Sequence, residues 1–245
     1  MPVGPNTEAK ERVLAILGFH KIGRPTREDW DTWFYVSEER FCEYLRCLRD
    51  DGWTVIDVRT FLAGLDAPEA LPEKSVLLTF DDGYKTMRSV TLPLLSQFGY
   101  PAILFVPSDF IGTFNTFDEG VEPKEAICDW DDLRDLERNG VSIQSHSVSH
   151  RALSTLTPGE LEEEATRSKA TLEAGLGGSV DVFSYPYGDG GLDHRFVRET
   201  MKGAGYRAAC LYGGGPNIVP TAEPYRLTRL PIGPDTDLRT ALAGR

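Results

Sequence analysis

Two short strings of the sequence hold the residue types that a hydrolytic metal site needs. In the first, residues 79–83, Asp81 and Asp82 stand side by side before a glycine. The second places His146 and His150 four positions apart. Neutral imidazoles are common metal ligands, and a three-residue gap lets two of them converge on one ion. One aspartate would complete a three-ligand site, while its neighbour would stay free to accept a proton.

Each string also has an ordinary structural explanation. Asp-Asp-Gly is a common turn sequence, and the two histidines could be satisfied surface or core residues. Ser147 stands where a His-Glu-x-x-His metalloprotease motif has its glutamate, so a base would have to come from Asp81 or Asp82. The metal site is favoured by placement, because both strings directly follow apolar runs that are typical of buried strands.

Short apolar segments alternate with amphipathic segments along most of the chain. The predicted strands are residues 13–19, 54–58, 76–80, 102–106, 141–145, 180–185, 207–211 and 225–232. The predicted helices are residues 38–51, 86–98, 129–139, 157–175 and 195–204, with a short one from about 238 and an irregular rim loop at 109–126. This alternation predicts an α/β protein with a parallel sheet, and seven or eight units favour a closed or nearly closed barrel. Without a repeat or linker, residues 1–245 are predicted to form one domain, with 1–12 as a flexible N-terminal segment.

In such a barrel, the chemistry lies at the C-terminal ends of the strands. The aspartate pair ends one predicted strand, His146 ends another, and residues 184–188 (Ser-Tyr-Pro-Tyr-Gly) end a third. His20 directly follows the first strand. This shared placement is stronger support for one active site than any single motif.

Composition excludes several classes of function. The net charge is −12 and no basic stripe is visible, so nucleic acid is not an expected partner. No run reaches the length of a membrane span, and the apolar segment 13–19 is interpreted as a strand because it lacks a signal-peptide cleavage site. A cytoplasmic location is therefore predicted. The four cysteines (Cys42, Cys47, Cys128 and Cys210) are interpreted as reduced thiols, and the sequence does not predict the oligomeric state.

In this order and spacing, the two strings resemble the polysaccharide deacetylases of carbohydrate esterase family 4, the NodB-homology fold. The resemblance extends from about residue 13 to residue 232. It implies a distorted (β/α)7 barrel and a metal-dependent N-deacetylase or O-deacetylase. It further implies that Asp82, His146 and His150 bind the metal and that Asp81 is the catalytic base.

The third motif departs from the family's usual Arg-x-Pro-Tyr pattern, because Ser184 replaces the arginine that orients the base. The Tyr-Pro-Tyr-Gly form and the opening string 17–22 are similar to the branch that deacetylates poly-N-acetylglucosamine exopolysaccharides. In that branch the motif order resembles a circular permutation, which makes the early His20 the candidate general acid. A hydrogen-bonded structural histidine is the alternative. Arg229, in the last predicted strand, is the candidate to replace the missing arginine and hold Asp81 ionised.

The remaining candidate residues concern the substrate. The resemblance implies that the backbone N–H of Tyr187 stabilises the oxyanion, and Tyr185 and Tyr187 are candidate substrate contacts. Trp130 could form a wall of a sugar-binding groove or could equally be a helix-packing residue. His194, in a polar stretch, is interpreted as a solvated or capping residue.

The implied activity is removal of acetyl groups from an N-acetylglucosamine-type oligosaccharide, polysaccharide or glycoside. The ligand set suits Zn2+, although Ni2+, Co2+ and Mn2+ remain alternatives. A cytoplasmic chain would suit a small oligosaccharide or glycosylated metabolite. Two other functions remain open: hydrolysis of a C–N bond in a small non-sugar substrate such as a ureide, and glycan binding without catalysis. The latter would explain the absent arginine, whereas retention of Asp81 and Asp82 favours an enzyme.

Overall fold

A curled sheet of mainly parallel strands forms the centre of the computed structural model, which describes residues 11–25 and 32–244. Its order is β10-β1-β5-β6-β7-β8-β9, and β10 runs antiparallel to β1. The strands are β1 (Arg12–Phe19), β2 (Lys21–Ile22), β3 (Tyr35–Val36), β4 (Thr54–Val55), β5 (Lys74–Phe80), β6 (Ala102–Val106), β7 (Val141–Ser145), β8 (Val182–Ser184), β9 (Ala208–Cys210), β10 (Asn217–Val219) and β11 (Leu230–Pro231). The helices are α1 (Glu38–Asp50), α2 (Val58–Asp66), α3 (Leu92–Phe98), α4 (Trp130–Arg138), α5 (Pro158–Leu176), α6 (His194–Gly203) and α7 (Leu238–Leu242).

Residues 227–231 span the gap between the first and last parallel strands of the sheet. Leu227 pairs with Cys210 at the end of β9, and Arg229 pairs with Gly213. β11 then pairs in parallel with β1. The sheet therefore curls towards closure, as the alternating sequence pattern predicts.

Alternate residues of the central strands enter two different apolar clusters, as the strand period of two requires. Leu14 and Ile16 of β1 belong to the inner cluster, whereas Leu17 and Phe19 pack in the cluster that includes the covering helices. Helix α2 adds Phe61 to the inner cluster near the N-terminal ends of the strands. Because apolar side chains fill that end, the opposite end is left for a site.

Three predicted elements differ from the structure. The strand predicted at 54–58 stops at Val55, because the side chain of Asp57 accepts a hydrogen bond from the Thr60 N–H (2.7 Å) and starts α2. The last predicted strand shortens to β11. The helix predicted at 86–98 is divided into a π-helical turn at Met87–Thr91 and α3, which has Pro93 in its first turn, where a missing N–H is tolerated.

Several predictions concern the limits of the chain. The single domain over residues 1–245 stays a prediction, and the flexible segment predicted at 1–12 lies almost wholly outside the described residues, although Arg12 already begins β1. None of the four cysteines, all of which lie in the described residues, forms a disulfide bond. No helix in the part of the chain that the structure describes is long and apolar enough to cross a membrane.

Candidate active site

One cavity of about 260 Å³ at the C-terminal ends of the strands brings together most of the predicted site residues. β1 is followed by His20, β5 by the aspartate pair, β7 by His146, and β8 by the turn that carries Tyr187. The cavity is lined by His20, Lys21, Phe34, Asp81, Asp82, Tyr84, Asp118, Val121, Glu122, His146, His150, Tyr187, Gly188 and Tyr212. This position is the one that barrel architecture predicts for an active site.

Asp82, His146 and His150 form a three-ligand cluster with ligand atoms within 4.8 Å of one another. Asp82 Oδ1 lies 3.1 Å from Nε2 of His150 and 3.4 Å from Nε2 of His146. All three residues are buried, and this carboxylate oxygen makes no hydrogen bond within the described residues. A buried polar atom without a partner is costly, whereas tetrahedral zinc with arms of about 2.1 Å places its ligand atoms roughly 3.4 Å apart. The cluster therefore fits a divalent ion.

The two imidazoles are oriented by their surroundings. His146 Nδ1 lies 2.8 Å from the backbone carbonyl of Ser184. Because a carbonyl only accepts, Nδ1 carries the proton and Nε2 keeps its lone pair towards Asp82. The His150 ring packs against Phe117, with ring centroids 4.1 Å apart, and against the Tyr187 ring at 4.7 Å. The tautomer of His146 and the place of His150 are thus suited to ligation.

Backbone turns in the left-handed region set the directions of these side chains. Asp82 has a φ of 71°, and in the histidine loop Ser147 and His150 have φ of 68° and 58°. Non-glycine residues adopt such angles at a cost of roughly 1–3 kcal/mol each, and they persist only where the surroundings over-determine them. The turn at Asp82 sends its carboxylate to the histidines, whereas Asp81 points to Arg229.

Asp81 and Arg229 form a buried bidentate ion pair. Both oxygens of Asp81 accept hydrogen bonds of 2.7 Å from the two terminal nitrogens of Arg229, which is fully buried. The guanidinium also donates to Ser184 Oγ (2.7 Å) and to the Leu211 carbonyl (2.8 Å). Arg229 therefore places its guanidinium beside Ser184, the residue that stands where the usual motif has arginine.

The electrostatics of the pair favour an ionised carboxylate. Burial raises the pKa of Asp81, but the charge of Arg229, followed by that of His146, outweighs it and holds this pKa below its ordinary value. Two parallel charge-assisted bonds also fix the carboxylate geometry. Asp81 is thus ionised and available as a proton acceptor at neutral pH.

His20 lies across the cavity, with Nε2 4.0 Å from Asp82 Oδ2. Its ring packs against Phe34 and Tyr212, at centroid distances of 4.5 and 5.2 Å. Nδ1 is buried without a hydrogen-bond partner among the described residues, which argues against the hydrogen-bonded structural alternative. Burial lowers the pKa of His20 below its usual value, although Asp82 and then Asp81 act to raise it. His20 is therefore neutral near pH 7.

Two candidate substrate contacts lie outside the cavity. Tyr185 is buried in the core, where its hydroxyl donates to the Tyr225 carbonyl (2.8 Å). Trp130 packs between helices; a Cβ added to Gly175 of α5 would lie 2.2 Å from its ring. Neither side chain lines the cavity. His194 begins α6 at the surface and is likewise absent from it.

Other lining residues were not predicted. Phe34 and Tyr212 form one wall, and Asp118 accepts a 3.3 Å hydrogen bond from the Tyr187 hydroxyl. The Lys21 ammonium donates to a Glu122 oxygen at 2.6 Å. Lys21 directly follows His20 in the opening string 17–22, so the sequence could have indicated that it lies at the site. Asp118 and Glu122 lie in the irregular loop, whose path no local pattern predicts.

Comparison with known proteins yields a family match and similar folds. Residues 69–209, more than half of the chain, match the family model described as polysaccharide deacetylase. YxkH of Bacillus subtilis (strain 168), which carries the same family name, is 27% identical over 197 residues, or 80% of this chain and 62% of YxkH. The poly-beta-1,6-N-acetyl-D-glucosamine N-deacetylase of Escherichia coli (strain K12) is 27% identical over 125 residues, or 49% of this chain and 19% of that enzyme. The chain thus spans less than two thirds of either relative.

A solved structure extends the comparison to the whole fold. The Streptococcus pyogenes deacetylase PplD superposes with a TM-score of 0.81 at 21% identity, covering 96% of this chain and 99% of PplD. This likeness confirms the predicted (β/α)7 architecture.

Proposed function

The chain belongs to the polysaccharide deacetylase family, and we propose that it removes acetyl groups from N-acetylated sugars of the N-acetylglucosamine type. The observation that carries the proposal is the Asp82, His146 and His150 cluster in the same buried cavity as an arginine-bound Asp81. The activity named for the Escherichia coli relative supports the choice of sugar. The family resemblance of the Tyr-Pro-Tyr-Gly string supports it further.

In the proposed reaction, water is added across the acetyl C–N bond to give acetate and a free amine. Asp82, His146 and His150 would hold a divalent ion, zinc for this ligand set, which supplies a Lewis acid and lowers the pKa of water. Asp81, kept ionised by Arg229, accepts the proton of the attacking water. The Tyr187 N–H donates to the oxyanion. His20, which its lowered pKa leaves neutral, takes up a proton from solvent and donates it to the departing amine, and Asp81 releases the water's proton to solvent, so both groups return to their starting state.

The cavity supports a substrate of about one sugar unit at the reacting position. Its volume of about 260 Å³ is slightly below the usual range for small-molecule sites. Phe34, Tyr212 and Tyr187 offer aromatic surface to the apolar faces of a sugar ring. Asp118 and the Tyr187 hydroxyl provide polar groups for the sugar hydroxyls.

An acetate-release screen tests this function. Zinc-loaded protein should release acetate from β-1,6-linked N-acetylglucosamine oligomers. Absence of release from every acetylated sugar would contradict the proposal. Turnover of ureides alone would instead identify a small-molecule amidohydrolase, and oligomer binding without turnover would identify a silent glycan-binding protein.

Metal removal is expected to abolish acetate release, and added Zn2+ should restore it. His150→Ala removes one of three ligands and should weaken metal binding by more than about 100-fold, because partners beyond the ligands already contribute 10–100-fold. Metal content after dialysis and competition with a chromogenic chelator measure the effect. His194→Ala, which changes a histidine outside the cavity, is the matched control. Full metal content in the His150 variant would contradict the ligand assignment.

A further inference from the structure

We propose that Glu164 of α5 is a positioning residue that holds residues 146–150, here called the histidine loop, in its metal-binding conformation. This inference depends on the proposed metal site. Glu164 is 7% exposed and does not line the cavity, so it would act through the loop and not by contact with metal or substrate. It therefore adds a residue to the site that neither motif contains.

The Glu164 carboxylate binds the centre of the histidine loop. One oxygen accepts the N–H groups of Val148 (2.7 Å) and Ser149 (2.9 Å). The other accepts the hydroxyl of Ser149. One side chain thus satisfies three donors, of which the Val148 N–H is fully buried.

The opposite side of the loop is held by the segment after β6. The carbonyls of Ser147 and Val148 accept N–H groups from Ser108 and Asp109, both at 3.1 Å. Within the loop, the His150 N–H donates to Ser147 Oγ at 3.0 Å. The loop is therefore clamped between β6 and α5, and Glu164 is the only side chain on the α5 side that accepts its amides among the described residues.

The two histidines depend on this clamp to different degrees. His146 is fixed at the end of β7, where its N–H donates to the Val106 carbonyl (3.1 Å). His150 reaches the cluster only through the left-handed turns at Ser147 and at His150 itself. Without the carboxylate, those strained angles can relax and shift His150 relative to His146. Misplacement by a fraction of an ångström is enough to weaken a ligand set.

The burial of Glu164 indicates a specific role. Among the described residues, no lysine or arginine lies within ion-pair distance of its carboxylate, so the charge is offset by hydrogen-bond donors and not by a cation. An isolated buried carboxylate is expensive, and bonds to charged acceptors are about twice as strong as neutral ones. The buried carboxylate therefore stabilises the loop amides that donate to it.

The test is the metal affinity of Glu164→Ala and Glu164→Gln, measured with Co2+ by chelator competition and by the visible spectrum of the bound ion. Glu164→Ala should raise the Kd about 10–100-fold and change the spectrum. Glu164→Gln should restore affinity to within a few-fold, because its amide oxygen can accept both backbone N–H groups. Glu163→Ala, a neighbouring exposed glutamate on α5, is the control and should match the unmutated protein.

Unchanged Co2+ affinity and spectrum in Glu164→Ala would overturn the inference, and so would failure of glutamine to rescue. If the alanine variant does not fold, Glu164→Asp carries the test, because its carboxylate is one methylene too short to reach both amides. Unmutated-level affinity in that variant would overturn the inference too. If the unmutated protein itself binds no Co2+ or Zn2+, the proposed metal site fails instead, which is a distinguishable result.

Discussion

Asp81→Asn should lower the kcat of acetate release by about 10²–10⁴-fold without loss of bound metal. Asparagine has nearly the shape of aspartate and can keep one hydrogen bond to Arg229, but it cannot take the proton of water. The proposed metal site uses the neighbouring Asp82, whose carboxylate turns the other way. Initial rates and metal content, measured on the same preparation, give the two readouts.

Two further variants make this result specific. Asp82→Asn should lose the metal together with activity, whereas Asp131→Asn, a change in a highly exposed aspartate, should affect neither. If Asp81→Asn retains full turnover, the base lies elsewhere. If turnover is absent in the unmutated protein and glycan binding survives the substitution, the protein is the silent binder.

The reacting groups could be predicted because their signals are local. Adjacent aspartates before Gly83 and a histidine pair after an apolar strand indicate both the residue types and their end of the barrel. Arg229 was proposed from strand order alone: it directly precedes β11, which lies beside β1, and Asp81 directly follows β5, the other neighbour of β1. For the aspartates and the histidines, a short string and a regular element were sufficient.

The walls of the cavity could not be predicted in this way. Tyr185 and Tyr187 are two residues apart, yet one enters the core and the other is 59% exposed, because Tyr187 has a left-handed φ of 58°. No sequence period reports such a turn. Phe34 and Asp118 reach the cavity from irregular segments, where side-chain direction depends on tertiary contacts. For the same reason, the sequence could not decide whether Trp130 forms a wall of the groove or packs between helices.

Glu164 shows a third kind of limit. In the sequence it is one of three consecutive glutamates on a helix, and such runs usually form a solvated face. Burial separates it from the others, since the helix turns Glu164 towards the histidine loop. Only the packing of α5 against β7 shows which of the three glutamates is buried against the histidine loop.

Arg229→Met should destabilise the fold by about 3–5 kcal/mol and move the acid limb of the pH–rate profile to higher pH. The substitution keeps volume but leaves Asp81 buried without its cation. In the unmutated protein Asp81 has a lowered pKa, so its stabilising contribution is present above the pKa of an unfolded aspartate and is lost as pH falls through the folded pKa. Without Arg229, burial dominates and raises that pKa, so ionisation and turnover begin at higher pH.

The pH dependence of stability should reverse in the same variant. A raised folded pKa contributes stability below the unfolded pKa and loses it as pH rises through the folded value. Thermal unfolding and kcat/KM across pH 3–9 measure both effects. Arg229→Lys keeps the charge but not the bidentate contact. Its stability and the position of its acid limb should lie between those of the unmutated protein and Arg229→Met.

The double variant Asp81→Asn/Arg229→Met separates ionisation from packing. If the cost in Arg229→Met comes from an unpaired buried charge, removing that charge should recover much of the lost stability, and the two substitutions will be strongly non-additive. If the cost comes from packing, the losses will add. An unshifted acid limb in Arg229→Met, in protein that remains folded, would show that Asp81 does not owe its ionisation to Arg229. The guanidinium beside Ser184 would then serve the fold and not the base.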